Sequence, residues 1–402
     1  MQQKYDIAIV GGGIVGLLTS LALAKTKYNI IHIEKDQLEV KNDNRSLAIS
    51  YSSIAFLNTL GLWDKVSTNT QAIKKVHISD KGKYGRAEIH ASDEGLPFLG
   101  AIAPMKELLR ATLQAVSDNT NITKSFNTNV KKLELQDNDR YSLIVEENGK
   151  QKAIVADFII ACDGANSSMR KMLDVDAETT DYNQDAVVFD IETDITHDNT
   201  AFERFMSDGV LAMLPKSNNT MGCVWTVDRN NSKAKLDLNE AEFKRLVQDR
   251  FGYRLGQIKV ISKPAIFPLY LVQSDEVFQK NVLYFGNALH FLHPVSGQGL
   301  NLSIRDIGCL YDLVESKQSL NHSLDEIMSQ FSKTRKPDHD RTIKVTHGFI
   351  QWFVSNDPRL VTSRNIGLHL LQRSKLAKKA LSRVMMGKLS KGSTLMRKVV
   401  ED

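Results

Sequence analysis

Three short segments of this 402-residue chain carry residue types that do chemistry together. The first is Gly11-Gly12-Gly13-Ile14-Val15-Gly16. Gly11 permits a tight turn, Gly13 lets backbone approach a pyrophosphate, and Gly16 lets a helix pack closely on a strand. Glu34 follows at about the 20-residue spacing that places a carboxylate on a ribose hydroxyl, with Lys35 beside it. A carboxylate there repels a 2′-phosphate, which disfavours NADP at this position. The second segment is Asp163-Gly164, whose carboxylate suits ribose or ribityl hydroxyls; Arg170 beyond it either opens a helix or faces a phosphate. The third runs from Gly286-Asn287 through His290, His293 and Pro294 to Gly297-Gln298-Gly299-Leu300-Asn301. Its paired glycines let backbone press on a flat ring, and the helix after them aims N–H groups at that ring. His290 and His293 suit a structural role at least as well as a catalytic one, so no general base is named. No metal-ligand set and no nucleophile triad is expected.

The elements that must position these residues are legible around them. Tyr5–Val10, Asn29–Ile33, Asp157–Cys162 and Val282–Phe285 read as short buried strands, each running into one of the chemical segments. Leu17, Leu18, Leu21, Ala22 and Leu23 recur at helical spacing after the first glycines, and a helix to about Val314 follows Asn301. The uncharged run Ile7–Ala24 is long enough to imitate a membrane span; the strand-turn-helix reading accounts for it better. Between Tyr182 and Lys280 apolar residues alternate, as a sheet requires. Glu203 and Arg204 read as a structural ion pair, and Trp225 as core. From Thr342 the pattern is helical, with Val345, Phe349, Trp352 and Phe353 on one face. The fold class expected is α/β: a Rossmann-like nucleotide-binding domain (1–75, 101–181, 281–341), an inserted β-sheet-rich substrate domain (76–100, 182–280) and a C-terminal helical region (342–402).

Composition narrows the class. Apolar residues make up 42% and charged residues 25%, as in ordinary globular proteins. Cys162, Cys223 and Cys309 form neither a disulfide framework nor a zinc pattern, which points to a reducing compartment. No secretory leader is expected. Residues 331–402 hold 16 Lys and Arg against 5 Asp and Glu, a formal +11 in a chain of +5 overall. Such a tail suits an acidic partner. It lacks the glycine-aromatic motifs of RNA-binding modules, so an anionic membrane surface or a protein partner is favoured over nucleic acid. A merely solvated basic helix is the plain alternative. Leu368, Leu371, Leu376, Leu381, Val384 and Met385 lie beside Lys375, Lys378, Lys379 and Arg383, and either pack on the body or touch that partner.

Taken together, the three segments resemble the flavin-dependent aromatic hydroxylases of the para-hydroxybenzoate hydroxylase type, from about Tyr5 to Asp306. The resemblance implies FAD as cofactor and NAD(P)H as reductant; because the sequence has a single strand-glycine-helix fingerprint, the nicotinamide is expected to bind transiently with no Rossmann domain of its own. It makes Gly11, Gly13, Gly16, Glu34 and Lys35 AMP-side residues. Asp163, Asn287, Pro294, Gly297, Gly299, Leu300 and Asn301 become flavin-side residues, and Arg45 the arginine near the flavin edge. Where the family usually has Gly-Asp this chain has Gly286-Asn287, as in the branch that hydroxylates ubiquinone precursors. The stretches Ala201–Phe205, Leu214-Pro215, Val224-Trp225-Thr226, Phe267-Pro268-Leu269, Arg364–Leu368 and Met386-Gly387 are similar to that branch, the 2-octaprenyl-6-methoxyphenol hydroxylase type. The implied cycle is reduction of FAD, addition of O2 at C4a, and attack of the resulting hydroperoxide's distal oxygen on an electron-rich polyprenyl phenol. The implied place is cytoplasmic, peripheral on the inner membrane. Two rivals stay open: a same-fold flavin oxidoreductase such as a prenyl reductase or halogenase, and a non-catalytic subunit of a ubiquinone-synthesis complex.

Overall fold

Ile7–Val10, Ile30–Ile33, Phe158–Ala161 and Val282–Tyr284 are buried residue after residue. Apolar residues on both faces of a strand suit a parallel sheet covered on both sides. The computed structural model, which describes residues 3–37, 39–40, 45–292, 297–318, 324–354, 357–387 and 392–397 (without side chains for 3, 236, 317–318, 324 and 349–354), builds that sheet. Its order is Phe278–Gln279, Val282–Tyr284, Lys150–Ala161, Gln3–Val10, Ile30–Ile33 and Ile122–Ser125. The strands from Val282–Tyr284 to Ile122–Ser125 run parallel.

Register decides what this sheet presents. Val10 pairs with both Ile33 and Ala161, and Ala161 with Tyr284. The residues that follow, Gly11, Glu34, Cys162-Asp163 and Phe285-Gly286, therefore stand in line along one carboxyl edge. Helices Ile14–Leu23, Met105–Asp118 and Gln298–Gln318 cover one face around Leu18, Phe158 and Ile304. Strands Thr128–Leu135 and Tyr141–Glu147 close the other face over Ile31, Leu143 and Ile159. The uncharged Ile7–Ala24 run is thus strand, turn and helix. Among the described residues no helix is long and apolar enough to cross a membrane.

The alternating half forms a second, mostly antiparallel sheet. Its order is His290–Phe291, Ala265–Ser274, Ala177–Thr193, Thr220–Asp228, Gly209–Pro215, Thr200–Met206, Lys75–Asp80 and Arg86–His90. Helix Glu240–Phe251 packs Phe243, Val247 and Phe251 on one face with the fully buried Trp225. A three-stranded sheet of Ser46–Ser50, Gln71–Ile73 and Gly100–Pro104 pairs antiparallel beside it.

The C-terminal region folds as helices Leu324–Val354, Pro358–Arg373 and Lys375–Met385. Leu368, Leu371, Leu381, Met385 and Met386 pack against Ile78, Ile89 and Phe205 of the second sheet. Arg364 is buried and bonds Asp80 through Nε at 2.8 Å and Nη2 at 2.8 Å. Asn365 donates to the same carboxylate at 3.0 Å and accepts from the Gly85 N–H at 2.7 Å. The apolar face of the basic helix is therefore turned inward, and Leu376 alone of its leucines is left outside, 83% exposed. The side chains of Phe349, Trp352 and Phe353 lie outside the described residues.

Candidate functional site

At the carboxyl edge each glycine of the first motif is held for a different reason. Gly11 sits at φ +116°, and a Cβ there would stand 2.5 Å from the Cys162 carbonyl oxygen. A Cβ on Gly16 would stand 2.0 Å from the Gly11 oxygen. Gly13 is exposed, and a Cβ there would meet nothing within 4 Å. Two glycines thus serve the fold, and the third leaves a bare surface at the start of helix Ile14–Leu23. Glu34 accepts from the Gly12 N–H with one oxygen and from the Asp36 N–H, at 3.0 Å, with the other. Lys35 beside it is exposed.

Sequence reasoning passed over a residue that braces this loop. His32, one position before the end of its strand, is fully buried. Its Nε2 donates to the Gly11 carbonyl at 3.1 Å, and its Nδ1 accepts from Ser20 Oγ at 2.7 Å. Burial pushes its pKa down to about 4, so the ring is neutral near pH 7, which leaves Nδ1 as the acceptor once Nε2 donates. A polar residue inside Ile30-Ile31-His32-Ile33 was the available signal.

Asp163 lies next along the edge. Its Oδ2 accepts from Ser168 Oγ and the Met169 N–H, both at 3.0 Å. Its Oδ1 is buried and has no hydrogen-bond donor among the described residues, an orphaned acceptor at the carboxyl end of its strand. Arg170 does open a helix, Ser168–Met172, but its guanidinium is buried and donates to the Ala165 carbonyl. In the third motif Gly286 has φ +58°, and a Cβ there would press Val15 Cγ1 at 2.8 Å. That contact joins the third motif to the first. Asn287 is exposed between buried Gly286 and Ala288. Gly297, at φ +61°, lies against Ala48, while Gly299 faces open space and Leu300 packs on the core. Asn301 is buried; its Oδ1 accepts from the Ser50 N–H at 2.9 Å, and its Nδ2 donates to the Ala48 and Gly297 carbonyls at 2.8 Å each. It ties the helix start to strand Ser46–Ser50. Pro294 and His293 lie outside the described residues.

Two spaces open on the second sheet. A cleft of about 1030 Å³ opens between the sheets, lined by Arg45, Gln71, Pro104, Lys106, Phe267 and the Asp190–Lys216 ion pair. A smaller, apolar pocket lies beyond Gln298, under the C-terminal helices. Glu203 lines it. The expected Glu203–Arg204 ion pair does not form, because successive strand residues face opposite sides of a sheet. Arg204 instead donates Nε to the Arg250 carbonyl at 2.9 Å and Nη1 to Ser79 Oγ at 3.3 Å.

Behind the third motif the structure assembles charged residues that sequence separation hid. His290, Asp306 and His339 bring their ligand atoms within 4.8 Å of one another, a metal-capable grouping the sequence reading did not anticipate. Asp306 accepts from Arg335 Nε at 2.6 Å, His339 Nε2 at 2.8 Å and His290 Nε2 at 3.2 Å. Arg335 and Arg305 then share Asp338, at 2.5 and 2.8 Å. Burial alone would raise the Asp306 carboxyl; His339 and Arg335 outweigh it and hold it well below the usual range. A guanidinium already occupies the carboxylate, so the group is a buried hydrogen-bond network that locks helices Gln298–Gln318 and Leu324–Val354 together.

The geometry fits FAD on three counts: the bare surface at Gly13, the orphaned Asp163 Oδ1, and the open backbone at Gly299. Residues 4–337 match the FAD binding domain family. The chain belongs to that family. Its relatives include ubiquinone hydroxylase UbiL of Rhodospirillum rubrum, 25% identical over 96% of this chain and 90% of that protein. The 3-demethoxyubiquinol 3-hydroxylase of Escherichia coli is 26% identical over 96% of this chain and 99% of its own length. Among solved structures, p-nitrophenol 4-monooxygenase PnpA from Pseudomonas putida superposes with a TM-score of 0.78 at 17% identity, covering 97% of this chain and all of that one. This FAD-binding chain therefore has the aromatic hydroxylase fold, with a helical C-terminal region.

Proposed function

We propose that this protein is an FAD-dependent monooxygenase that uses NAD(P)H and O2 to hydroxylate the aromatic ring of a polyprenyl phenol in ubiquinone biosynthesis. One observation carries the reading: parallel register lines up Gly11, Glu34, Asp163 and Asn287 at one edge of a chain related to ubiquinone hydroxylases over nearly its whole length. Gly13, Glu34 and Lys35 hold the AMP half of FAD, and Gly11 and Gly16 shape the turn that brings Gly13 to it. Asp163 and Asn287 bond the sugar-alcohol chain, and Asp163 Oδ1 gains there the donor it lacks. Gly297, Gly299 and Leu300, with Pro294, face the flat ring, and Arg45 approaches its edge. Asn301 acts through the backbone, by fixing the helix start whose N–H groups favour negative charge on the ring. When bound and reduced, FAD supplies activated oxygen; the chain orients substrate and excludes water, which otherwise wastes that oxygen as peroxide. The nicotinamide docks transiently.

The purified protein tests this directly. Its visible spectrum should show bound flavin, and NADH or NADPH with a short-chain methoxyphenol in air should yield hydroxylated product. Flavin without substrate-dependent product would favour another oxidoreductase of this fold. No flavin after reconstitution would favour a non-catalytic subunit.

A polyprenyl tail prefers lipid to water, and the surface supports a membrane contact. Leu360, Ile366, Leu370 and Leu376 are 38%, 56%, 60% and 83% exposed along the outer corner of the last two long helices, beside exposed Arg359, Arg373, Lys375 and Lys379. Apolar residues ringed by cations fit an anionic bilayer surface. Truncation after Gly367 would remove the core residues Leu368, Leu381 and Met386, so point changes are the cleaner test. Leu370→Glu with Leu376→Glu should abolish sedimentation with anionic liposomes and leave flavin content unchanged; undiminished sedimentation would refute the contact.

A further inference from the structure

The strand that turns Arg204 away leaves Glu203 facing the apolar pocket. Ile78, Phe205 and Met385 form its walls, and Gln298, Thr342 and Thr346 add its uncharged polar atoms. Ala212 and Ile78 stand beside Glu203 on the two neighbouring strands. Helices Gln298–Gln318, Leu324–Val354 and Lys375–Met385 present no titratable group to the pocket among the described residues. Glu203 has neither ion pair nor hydrogen-bond partner among those residues. Among the described residues it is the pocket's one ionisable group. Unpartnered carboxylates facing apolar walls are costly and are a mark of functional sites. The pocket also reaches the third motif, since Gln298 directly follows Gly297 at the start of the helix assigned to the flavin ring.

We propose that Glu203 is the base that accepts the phenolic proton of the substrate, and that this pocket holds the reacting ring. The proposal rests on the hydroxylase reading above. The phenol O–H bond breaks, its electron pair stays on the phenol oxygen, and the proton forms an O–H bond on the Glu203 carboxylate. Total charge is unchanged: one carboxylate becomes neutral and one phenol becomes phenolate. The phenolate is the better carbon nucleophile, and the proton returns to product or water on release. Burial pushes the Glu203 carboxyl up to about 7. That is closer to a phenol, about 10 for tyrosine, than an exposed carboxyl is, which favours proton transfer near neutral pH.

The test compares wild type, Glu203→Gln and Glu203→Asp as FAD-loaded holoenzymes on two short-chain phenols. One is a methoxyphenol, neutral at pH 7; the other is a fluorinated analogue already ionised at that pH. Glu203→Gln should keep its flavin and its reduction by NAD(P)H. It should lose product formation from the neutral phenol by roughly 100-fold, diverting oxygen to peroxide, with partial recovery in Glu203→Asp. Wild-type activity on the neutral phenol should fall as pH drops below about 7, a limb absent in Glu203→Gln. The ionised phenol should restore most of the lost product. Equal losses on both phenols, or an unchanged acid limb in Glu203→Gln, would overturn the assignment. If Glu203→Gln fails to hold flavin, wild type alone decides, because parallel acid limbs on both phenols contradict a phenol-deprotonating base. Absence of product from wild type on either phenol would instead count against the hydroxylase reading itself.

Discussion

Gly11 and Gly13 stand two residues apart and do different work, which makes them separable by substitution. Gly11→Ala forces a Cβ into the Cys162 carbonyl at a left-handed φ, so it should cost more than ~2 kcal/mol in urea unfolding of the flavin-free protein. Gly13→Ala meets nothing at all and should change that stability by less than ~0.5 kcal/mol. It should nevertheless weaken flavin retention, measured by absorbance after dialysis. Equal flavin retention in Gly13→Ala and wild type would contradict the placing of the pyrophosphate there. The spacing of these glycines was legible because backbone conformation is written locally. The orphaned oxygen of Asp163 was not, since only the fold says which of its two oxygens finds donors. Nor was the separation of Glu203 from Arg204, two charges that look paired on paper and face opposite sides of a strand.

The four buried strands that run into the chemical segments were legible from their short apolar runs. Their order was not, because pairing between Val10, Ala161 and Tyr284 spans the chain. The same limit hid the Asp306 network, whose members His290 and Arg335 come from distant segments. At the C-terminal end, helical periodicity was plain, while the choice between packing and exposure rested on tertiary contacts. The buried Arg364–Asp80 pair makes that choice at its centre. Arg364→Met removes the guanidinium and leaves the buried Asp80 charge with the neutral Asn365 amide in place of its counter-ion, so it should cost ~3 kcal/mol. Limited proteolysis should then release the C-terminal helices before the two sheets open. Unchanged resistance would show that apolar packing alone holds them.

Over the whole molecule, acid should be the weak side. His32 and His77 are both held near about 4, mainly by burial, against an ordinary value of 6.5. A lowered folded pKa contributes stability above 6.5 that is lost as pH falls toward 4, at ~1.4 kcal/mol per pH unit for each fully coupled group. Glu203, raised to about 7, acts in the opposite direction as it protonates, but two histidines outweigh one carboxyl, so the midpoint of thermal unfolding should drop between pH 6.5 and 4. A flatter profile is expected for His32→Gln, and no change in slope would contradict the neutral, loop-bracing histidine. The larger claim is that both sheets and the C-terminal helices serve one oxygen transfer to a phenol. Turnover of a short-chain methoxyphenol with NAD(P)H under 18O2 tests it most directly. The ring product should carry one 18O atom, with none from solvent water. Product carrying oxygen from water, or reduced nicotinamide consumed solely to form peroxide, would contradict it.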